Sequence, residues 1–296
     1  MLRAGMTVVI TMTLTSFGTF AAVDYMRGRA VPSPYLVPHD VRSDVLGERR
    51  QLLVRLPETY HRALDRRYPV AFVLDGSALD IPTADSAALM ARLALTPELI
   101  VVGIPNVSAE GRQRDYTPPF MRQDIDRADS AFGAGDRFLD FLEREVVPLV
   151  ERVYRSDGHR VLIGHSRGGL LVTYALIARP TMFDAFLAHS PALWRDDFAA
   201  VASLAEWLPR QSRLSKFYYM SVGGDEVPQM KDGYARARAV LEQHAEAAGL
   251  RWHADVVEGA DHQSNRERAA PLGLRAAFHA PLGNTPRDGS AAVARE

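Results

Sequence analysis

The sequence predicts an α/β fold with a mostly parallel central sheet and helices on both faces. Three observations indicate it. Short runs such as residues 70–74 and 99–104 are apolar throughout, as strands buried on both faces of a parallel sheet are. Segments with apolar residues at helical spacing lie between these runs. Glycine, proline and aspartate mark most of the ends of the runs, where turns are expected.

The first half of the chain contains three predicted strands, over residues 50–56, 70–74 and 99–104. The first alternates between polar and apolar residues and is closed by Pro57, whereas the other two are uninterrupted apolar runs. Two helices are predicted, over residues 83–95 and 132–154, the second interrupted by Pro148. A polar loop is expected over residues 106–131.

The second half repeats the alternation. A strand over residues 160–163 stops at Gly164, and a helix rich in Ala, Leu and Val over residues 170–178 runs to Pro180. Three further strands are predicted, over residues 183–188, 216–222 and 252–257. Three helices separate and follow them, over residues 197–208, 234–248 and 268–279.

The composition excludes several classes of function but does not by itself indicate one. The 296 residues carry a formal net charge of −1, so there is no charge argument for a nucleic-acid partner. There is no cysteine, which excludes disulfides, thiolate metal sites and a cysteine nucleophile. The length allows one large domain with an ample core.

The first 23 residues have the pattern of a secretory signal. Arg3 precedes a weakly apolar stretch without charge over residues 5–23, with small residues near its end. We therefore expect residues 1–23 to be a signal peptide of a periplasmic or secreted protein, with an uncleaved membrane anchor as the lesser possibility. Residues 24–40, with three prolines, are expected to form a linker, residues 41–280 the α/β domain, and residues 281–296 a disordered tail.

The turn after the fourth predicted strand has the spacing of a nucleophile elbow, Gly164-x-Ser166-x-Gly168. A serine hydroxyl is a useful nucleophile only when it projects free of the backbone, beside a base and near N–H donors. A sharp turn from strand to helix places it so but brings neighbouring backbone close, which requires very small residues two positions before and after it. Ser166 is therefore the candidate nucleophile.

A histidine and two acids follow the carboxyl ends of later strands. In parallel sheets these ends share one edge, where ligands bind. Ser166, either Asp225 or Glu226, and His262 can therefore converge there, with His262 as general base and the acid orienting it. The order serine, acid, histidine is that of the α/β-hydrolases.

Six segments resemble the putative esterase family, which includes esterase D-type enzymes, feruloyl esterases, siderophore esterases and mycolyl transferases. These segments are residues 68–76 (YPVAFVLDG), 100–106 (IVVGIPN), 114–118 (RDYTP), 164–169 (GHSRGG), 190–194 (SPALW) and 258–262 (EGADH). The resemblance implies an α/β-hydrolase fold and a serine carboxylesterase that acts on a small-molecule ester through an acyl-enzyme, without a metal or organic cofactor. The siderophore-esterase branch looks nearest.

Two other functions stay open on the same fold: an acyltransferase, in which an alcohol replaces water, and a non-catalytic binding protein. The resemblance also favours Glu226 over Asp225, because relatives often place the acid three positions after a strand-ending glycine, here Gly223. The physiological ester and the oligomeric state are not given by the sequence.

The remaining site residues are expected around the elbow. The backbone N–H of Arg167 and an N–H of the loop after residues 70–74 should stabilise the oxyanion; Gly76 and Ser77 are the candidates, and the resemblance favours Ser77. Arg114 and Trp194 are expected to contact substrate. The Arg167 side chain departs from the family, whose members commonly carry an apolar or aromatic residue there. It could meet an acidic substrate or pair with a carboxylate of a loop.

Overall fold

The computed structural model describes residues 36–279; the predicted signal segment and the predicted tail lie outside this range, as does most of the linker. Eight strands of the described part form one sheet: β1 (Leu36–Ser43), β2 (Glu48–Arg55), β3 (Tyr68–Leu74), β4 (Ile100–Ile104), β5 (Ser156–His165), β6 (Ala185–His189), β7 (Lys216–Gly223) and β8 (Leu250–Val257). Their order across the sheet is β1-β2-β4-β3-β5-β6-β7-β8. From β3 to β8 all neighbours are parallel, and β2 pairs antiparallel with β4.

Helices connect the strands. They are α1 (Asp80–Arg92), α2 (Ala109–Tyr116), α3 (Gly135–Phe141), α4 (Val147–Val153), α5 (Arg167–Ala178), α6 (Arg195–Trp207), α7 (Pro228–Ala248) and α8 (Asn265–His279). Across residues 36–279, no helix combines the length and the apolar character needed to cross a bilayer.

Both faces of the sheet are covered, as predicted for a parallel sheet. Successive residues of a strand point to opposite faces, and β7 shows what each face meets. The hydroxyl of Tyr218 lies 2.8 Å from Thr173 Oγ1 of α5. Tyr219 belongs to the other face, in a buried apolar cluster that includes Leu274 of α8. The two faces are thus closed by different helices, and the central strands β3 to β7 are buried over most of their length.

Two elements were not predicted. Strand β1 begins at Leu36, inside the predicted linker. It lies at the edge of the sheet, where the missing N–H of Pro38 can face away from the neighbouring strand. Helix α2 lies in the predicted polar loop; its sequence, AEGRQRDY, has no apolar stripe for periodicity to detect. Its one local signal is Ser108, whose side chain accepts a hydrogen bond from the Gly111 N–H at 3.0 Å.

Pro148 does not end the predicted helix over residues 132–154. Instead a π-helical turn, Leu142–Val146, joins α3 to α4 directly before the proline. A proline inside an α-helix clashes with the carbonyl four residues earlier and lacks the N–H to bond it. The wider turn accommodates this, so the helix continues with Leu142 and Val146 buried.

Gly223, at the end of β7, has no room for a side chain. A Cβ there would lie 2.2 Å from the carbonyl oxygen of Ala260. We expect Gly223→Ala to force the end of β7 away from residue 260 and to lower the free energy of unfolding by about 1–3 kcal/mol, the usual cost of overpacking. Gly224→Ala is the matched control, because its Cβ would approach most closely the flexible tip of Glu258, at 3.0 Å. Equal urea midpoints for the two variants would contradict this interpretation.

Candidate active site

Ser166 lies in a sharp turn between β5 and α5 with φ 58° and ψ −116°, a strained conformation for a residue with a side chain. The turn is held by backbone bonds: the Ser166 N–H donates to the His189 carbonyl at 3.0 Å. A Cβ on Gly164 would lie 2.5 Å from the backbone of Gly168, which explains the glycine two positions before the serine. Ser166 is partly exposed, whereas the five residues before it are buried, so its hydroxyl is accessible.

The structure brings the predicted histidine and one of the two predicted acids to this serine. His262 Nε2 lies 3.0 Å from Ser166 Oγ, and His262 Nδ1 lies 2.8 Å from Glu226 Oε2. Glu226 follows β7 and His262 follows β8, so the three residues share the carboxyl edge of the sheet. Asp225, the alternative acid, is exposed to solvent instead. A continuous chain of hydrogen bonds therefore runs from the hydroxyl to a carboxylate.

The Glu226 carboxylate is buried, and both of its oxygens accept hydrogen bonds. Its side chain is 0% exposed, and Oε1 accepts hydrogen bonds from the Gly223 N–H at 2.8 Å and from the Ser190 hydroxyl. Burial raises the pKa of Glu226, but the hydrogen bonds from His262, Ser190 and Gly223 outweigh it, and the pKa is lowered overall. The group is thus held as a carboxylate, the form that can stabilise a histidine cation.

A buried polar network supports this carboxylate from behind. Asn265 Nδ2 donates to Ser190 Oγ at 2.8 Å and to Ser221 Oγ at 3.0 Å. Ser221 Oγ in turn lies 3.3 Å from His189 Nδ1. Asn265, Ser190 and Ser221 are each 0% exposed. The rotamer of Glu226 is therefore fixed by Gly223 of β7 and by Ser190, which follows β6 and is itself held by Asn265 of α8.

His165 supports the histidine of the site. Its Nε2 lies 2.7 Å from the backbone carbonyl of His262, and the two rings are 4.6 Å apart between centroids. Burial and the nearby His262 lower the pKa of His165 to about 3. It is neutral near pH 7, so its Nε2–H can donate to that carbonyl and hold the loop after β8.

The buried histidines should make the fold sensitive to acid. Burial lowers the pKa of His189 to about 4 from an ordinary value of 6.5. Between pH 6.5 and pH 4, His189 is protonated in the unfolded chain but stays neutral in the folded chain. The folded state therefore loses stability, relative to pH 7, as the pH falls towards 4. His189 alone should account for a loss on the order of 2–3 kcal/mol over that range.

The measurement is urea denaturation at pH 7 and pH 4.5. His189→Asn keeps a hydrogen-bonding nitrogen near Nδ1 but cannot titrate, and we expect it to lose about 2 kcal/mol less than the unmodified protein between the two pH values. His244→Asn, on the half-exposed surface of α7, should keep the full loss. An undiminished loss in His189→Asn would contradict the assignment.

The N–H groups predicted to stabilise the oxyanion differ in their hydrogen bonding. The N–H of Arg167, at the start of α5, has no hydrogen-bond acceptor among residues 36–279, as expected for a free first-turn donor. The Ser77 N–H, by contrast, donates to Asp80 Oδ1 at 2.8 Å, and the Gly76 N–H donates to the Ile104 carbonyl at 3.0 Å. The Ser77 N–H thus already has an acceptor, and its role as second oxyanion donor stays a prediction.

Arg114, predicted to contact substrate, is part of an ion-pair cluster, and its contact with substrate stays a prediction. Its guanidinium pairs with Asp115 Oδ1 at 2.7 Å and Glu48 Oε1 at 2.8 Å, in a structural ion-pair cluster that includes buried Arg50. Trp194 is half-buried at the N-terminal end of α6, and its contact with substrate stays a prediction.

Sequence reasoning missed Arg112. Its Nε and Nη2 donate to the two carboxylate oxygens of Asp75 at 2.6 and 2.8 Å, and Nη2 lies 3.4 Å from the His165 carbonyl. It thereby ties the loop after β3 to the residue before Ser166. Only its place one turn before Tyr116 on α2 could have indicated this, and α2 itself was not predicted.

No group of three or more His, Asp and Glu side chains in the described part of the chain is placed to hold a metal ion. Fold and geometry together define a class. An eight-stranded, mostly parallel sheet with a serine elbow after β5, and with an acid and a histidine after β7 and β8, is an α/β-hydrolase fold.

The family follows from comparison with known proteins. The family model described as "Putative esterase" matches residues 43–265, and the chain belongs to this family. Among solved structures, an IroE-like serine hydrolase from Shewanella oneidensis superposes with a TM-score of 0.75 at 28% identity, over 82% of this chain and 80% of that one.

Curated relatives match over shorter stretches. A siderophore triacetylfusarinine C esterase from Aspergillus fumigatus is 33% identical over 43% of this chain and 44% of its own length. The ferri-bacillibactin esterase BesA from Bacillus subtilis is 30% identical over 44% of this chain and 50% of its own. The chain thus spans about half the length of these two relatives.

Proposed function

We propose that the protein is a serine carboxylesterase that hydrolyses a small-molecule ester through an acyl-enzyme intermediate. The observation that carries the proposal is the unbroken hydrogen-bond chain from Ser166 Oγ through His262 to Glu226. Membership of the putative esterase family and the names of the two curated esterases support the same reaction.

The first half-reaction follows from this geometry. Ser166 Oγ attacks the ester carbonyl carbon while His262 Nε2 takes the hydroxyl proton across the 3.0 Å contact. The buried carboxylate of Glu226 stabilises the imidazolium that forms. His262 then gives the proton to the departing alkoxide, which leaves as the alcohol, and the acyl group remains on Ser166.

The second half-reaction repeats these steps with water. His262 takes a proton from the water that attacks the acyl-enzyme and returns it to Ser166 Oγ as the acid leaves. In both halves negative charge develops on the carbonyl oxygen. The free N–H of Arg167 is the donor proposed for it, helped by the partial positive charge at the start of α5.

The proposal is tested by stopped-flow hydrolysis of p-nitrophenyl butyrate. We expect a rapid burst of p-nitrophenolate, close to one equivalent per active enzyme, when deacylation is the slower step. Quenching during the burst should trap an enzyme heavier by one butyryl group, measured as the intact mass. Failure to turn over any of a panel of short-chain p-nitrophenyl esters, by a protein shown to be folded, would contradict the proposal.

A further inference from the structure

Two arginine side chains lie together beside the serine elbow. Arg167 is the first residue of α5, and Arg195 is the first residue of α6. The segment before α6 is bound to the elbow, because the Ala192 N–H donates to the Ser166 carbonyl at 3.0 Å. Both guanidinium groups donate to the carbonyl oxygen of Gln123, at 2.9 and 3.0 Å. Since they share this acceptor, the two donor nitrogens are at most about 6 Å apart.

Neither guanidinium has a carboxylate partner within 4.0 Å among residues 36–279, whereas Arg112 next to them is paired with Asp75. Their hydrogen bonds go to neutral oxygens: Arg167 also donates to Thr117 Oγ1 at 2.8 Å. Arg195 is only 8% exposed, and its Nε is buried without an acceptor. Buried cations are normally paired, so this arrangement leaves positive charge uncompensated.

The nearby acidic residues do not neutralise the positive charge of Arg167 and Arg195. Burial and the cations of Arg195 and Arg112 lower the pKa of Arg167 to about 10, and only Asp124 acts to raise it. Burial also lowers the pKa of Arg195, against weaker effects of Asp124 and other acids of the same loops. Each cation would therefore be stabilised by an anion that arrives from outside.

We propose that Arg167 and Arg195 form an anion subsite beside Ser166 that binds a carboxylate group carried by the ester substrate. The inference rests on the proposed esterase activity and adds a substrate class to it. A guanidinium matches a carboxylate in shape and donates charge-assisted hydrogen bonds to it. Arg167 is only partly buried, and the N–H groups that the two guanidinium groups do not use for Gln123 or Thr117 remain to bind such an anion.

The test compares esters that carry a carboxylate with neutral esters of similar size. On the acyl side, p-nitrophenyl hemiglutarate is paired with neutral p-nitrophenyl valerate. On the alcohol side, 4-carboxyphenyl butyrate is paired with neutral 4-carbamoylphenyl butyrate. For at least one pair we expect the unmodified protein to favour the anionic ester in kcat/KM by roughly tenfold to hundredfold, the value of charge-assisted hydrogen bonds.

The variants locate the preference. Arg195→Met and Arg167→Met should each lower the ratio of anionic to neutral kcat/KM by about tenfold or more, and Arg195→Lys, which keeps the charge, should retain most of it. Arg122→Gln is the matched control, because that guanidinium donates to the Ser130 carbonyl on the other side of the same loop. It should leave the ratio unchanged.

If the two arginines only hold the loop, each methionine variant would lower kcat/KM equally for the anionic and the neutral ester of a pair. An unchanged ratio of anionic to neutral kcat/KM in both methionine variants overturns the inference. If neutral esters are hydrolysed with a burst in that case, the esterase proposal stands and only the subsite fails. If the folded protein hydrolyses none of the four esters, both proposals fail together.

Discussion

Replacing Ser166 with alanine is expected to lower kcat for p-nitrophenyl butyrate by about four to six orders of magnitude, the loss that follows removal of an activated serine nucleophile. The variant keeps His262 and Glu226 but has no oxygen to form an acyl bond. The burst of p-nitrophenolate should disappear entirely rather than become slower. The measurement is stopped-flow and steady-state release of p-nitrophenolate with ester in excess of enzyme.

Stability serves as the control for this variant. Among residues 36–279, the Ser166 side chain makes no hydrogen bond except the one with His262, and its strained φ of 58° is unfavourable for alanine as for serine. Ser166→Ala should therefore unfold within about 1 kcal/mol of the unmodified protein. A variant that stays folded and retains even a hundredth of the normal kcat would show that another group is the nucleophile.

Replacing Glu226 with glutamine is expected to lower kcat by about 10³-fold to 10⁴-fold. Two donors, the Gly223 N–H and the Ser190 hydroxyl, converge on Oε1, so the glutamine oxygen must take that position. The amide NH₂ then faces His262 Nδ1 and donates to it. This forces the histidine proton onto Nε2, which can no longer accept the proton of Ser166.

Asp225→Asn is the matched control for this substitution. The two acids are neighbours in the chain, but Asp225 is exposed whereas Glu226 is 4% exposed. Both variants remove one negative charge from the same loop, and we expect the Asp225 variant to retain kcat within about twofold, as a distant exposed charge should. A large loss in Asp225→Asn with little in Glu226→Gln would reverse the assignment of the acid.

Much of the fold could be predicted because the sheet is mostly parallel. Buried strands such as β3 and β4 are apolar throughout, and their predicted positions are confirmed to within two residues. The α/β-hydrolase fold predicted from these strands and from the elbow is confirmed. The edge strand β1 and the polar helix α2 were not predicted, because neither has the apolar pattern by which strands and helices are recognised in a sequence.

Some parts of the candidate site could be predicted from the sequence and others could not. Ser166, Glu226 and His262 each follow a detectable strand, so the topology alone brings them near one another. The partners of Ser77 and Arg114 depend on side-chain geometry: Asp80 is the first residue of α1, and Glu48 is the first residue of β2. The contact between Arg114 and Glu48 joins residues 66 positions apart, which spacing along the chain cannot reveal. The unpaired Arg167 and Arg195 likewise become visible only when the surrounding loops are folded.

The most direct measurement is the position of a covalent adduct after treatment with a fluorophosphonate, which phosphonylates an activated serine. Peptide mass spectrometry of the labelled protein should find one phosphonyl group, on Ser166, and Glu226→Gln should label far more slowly. A folded protein that forms no adduct, or that carries the adduct on another residue, would contradict the account.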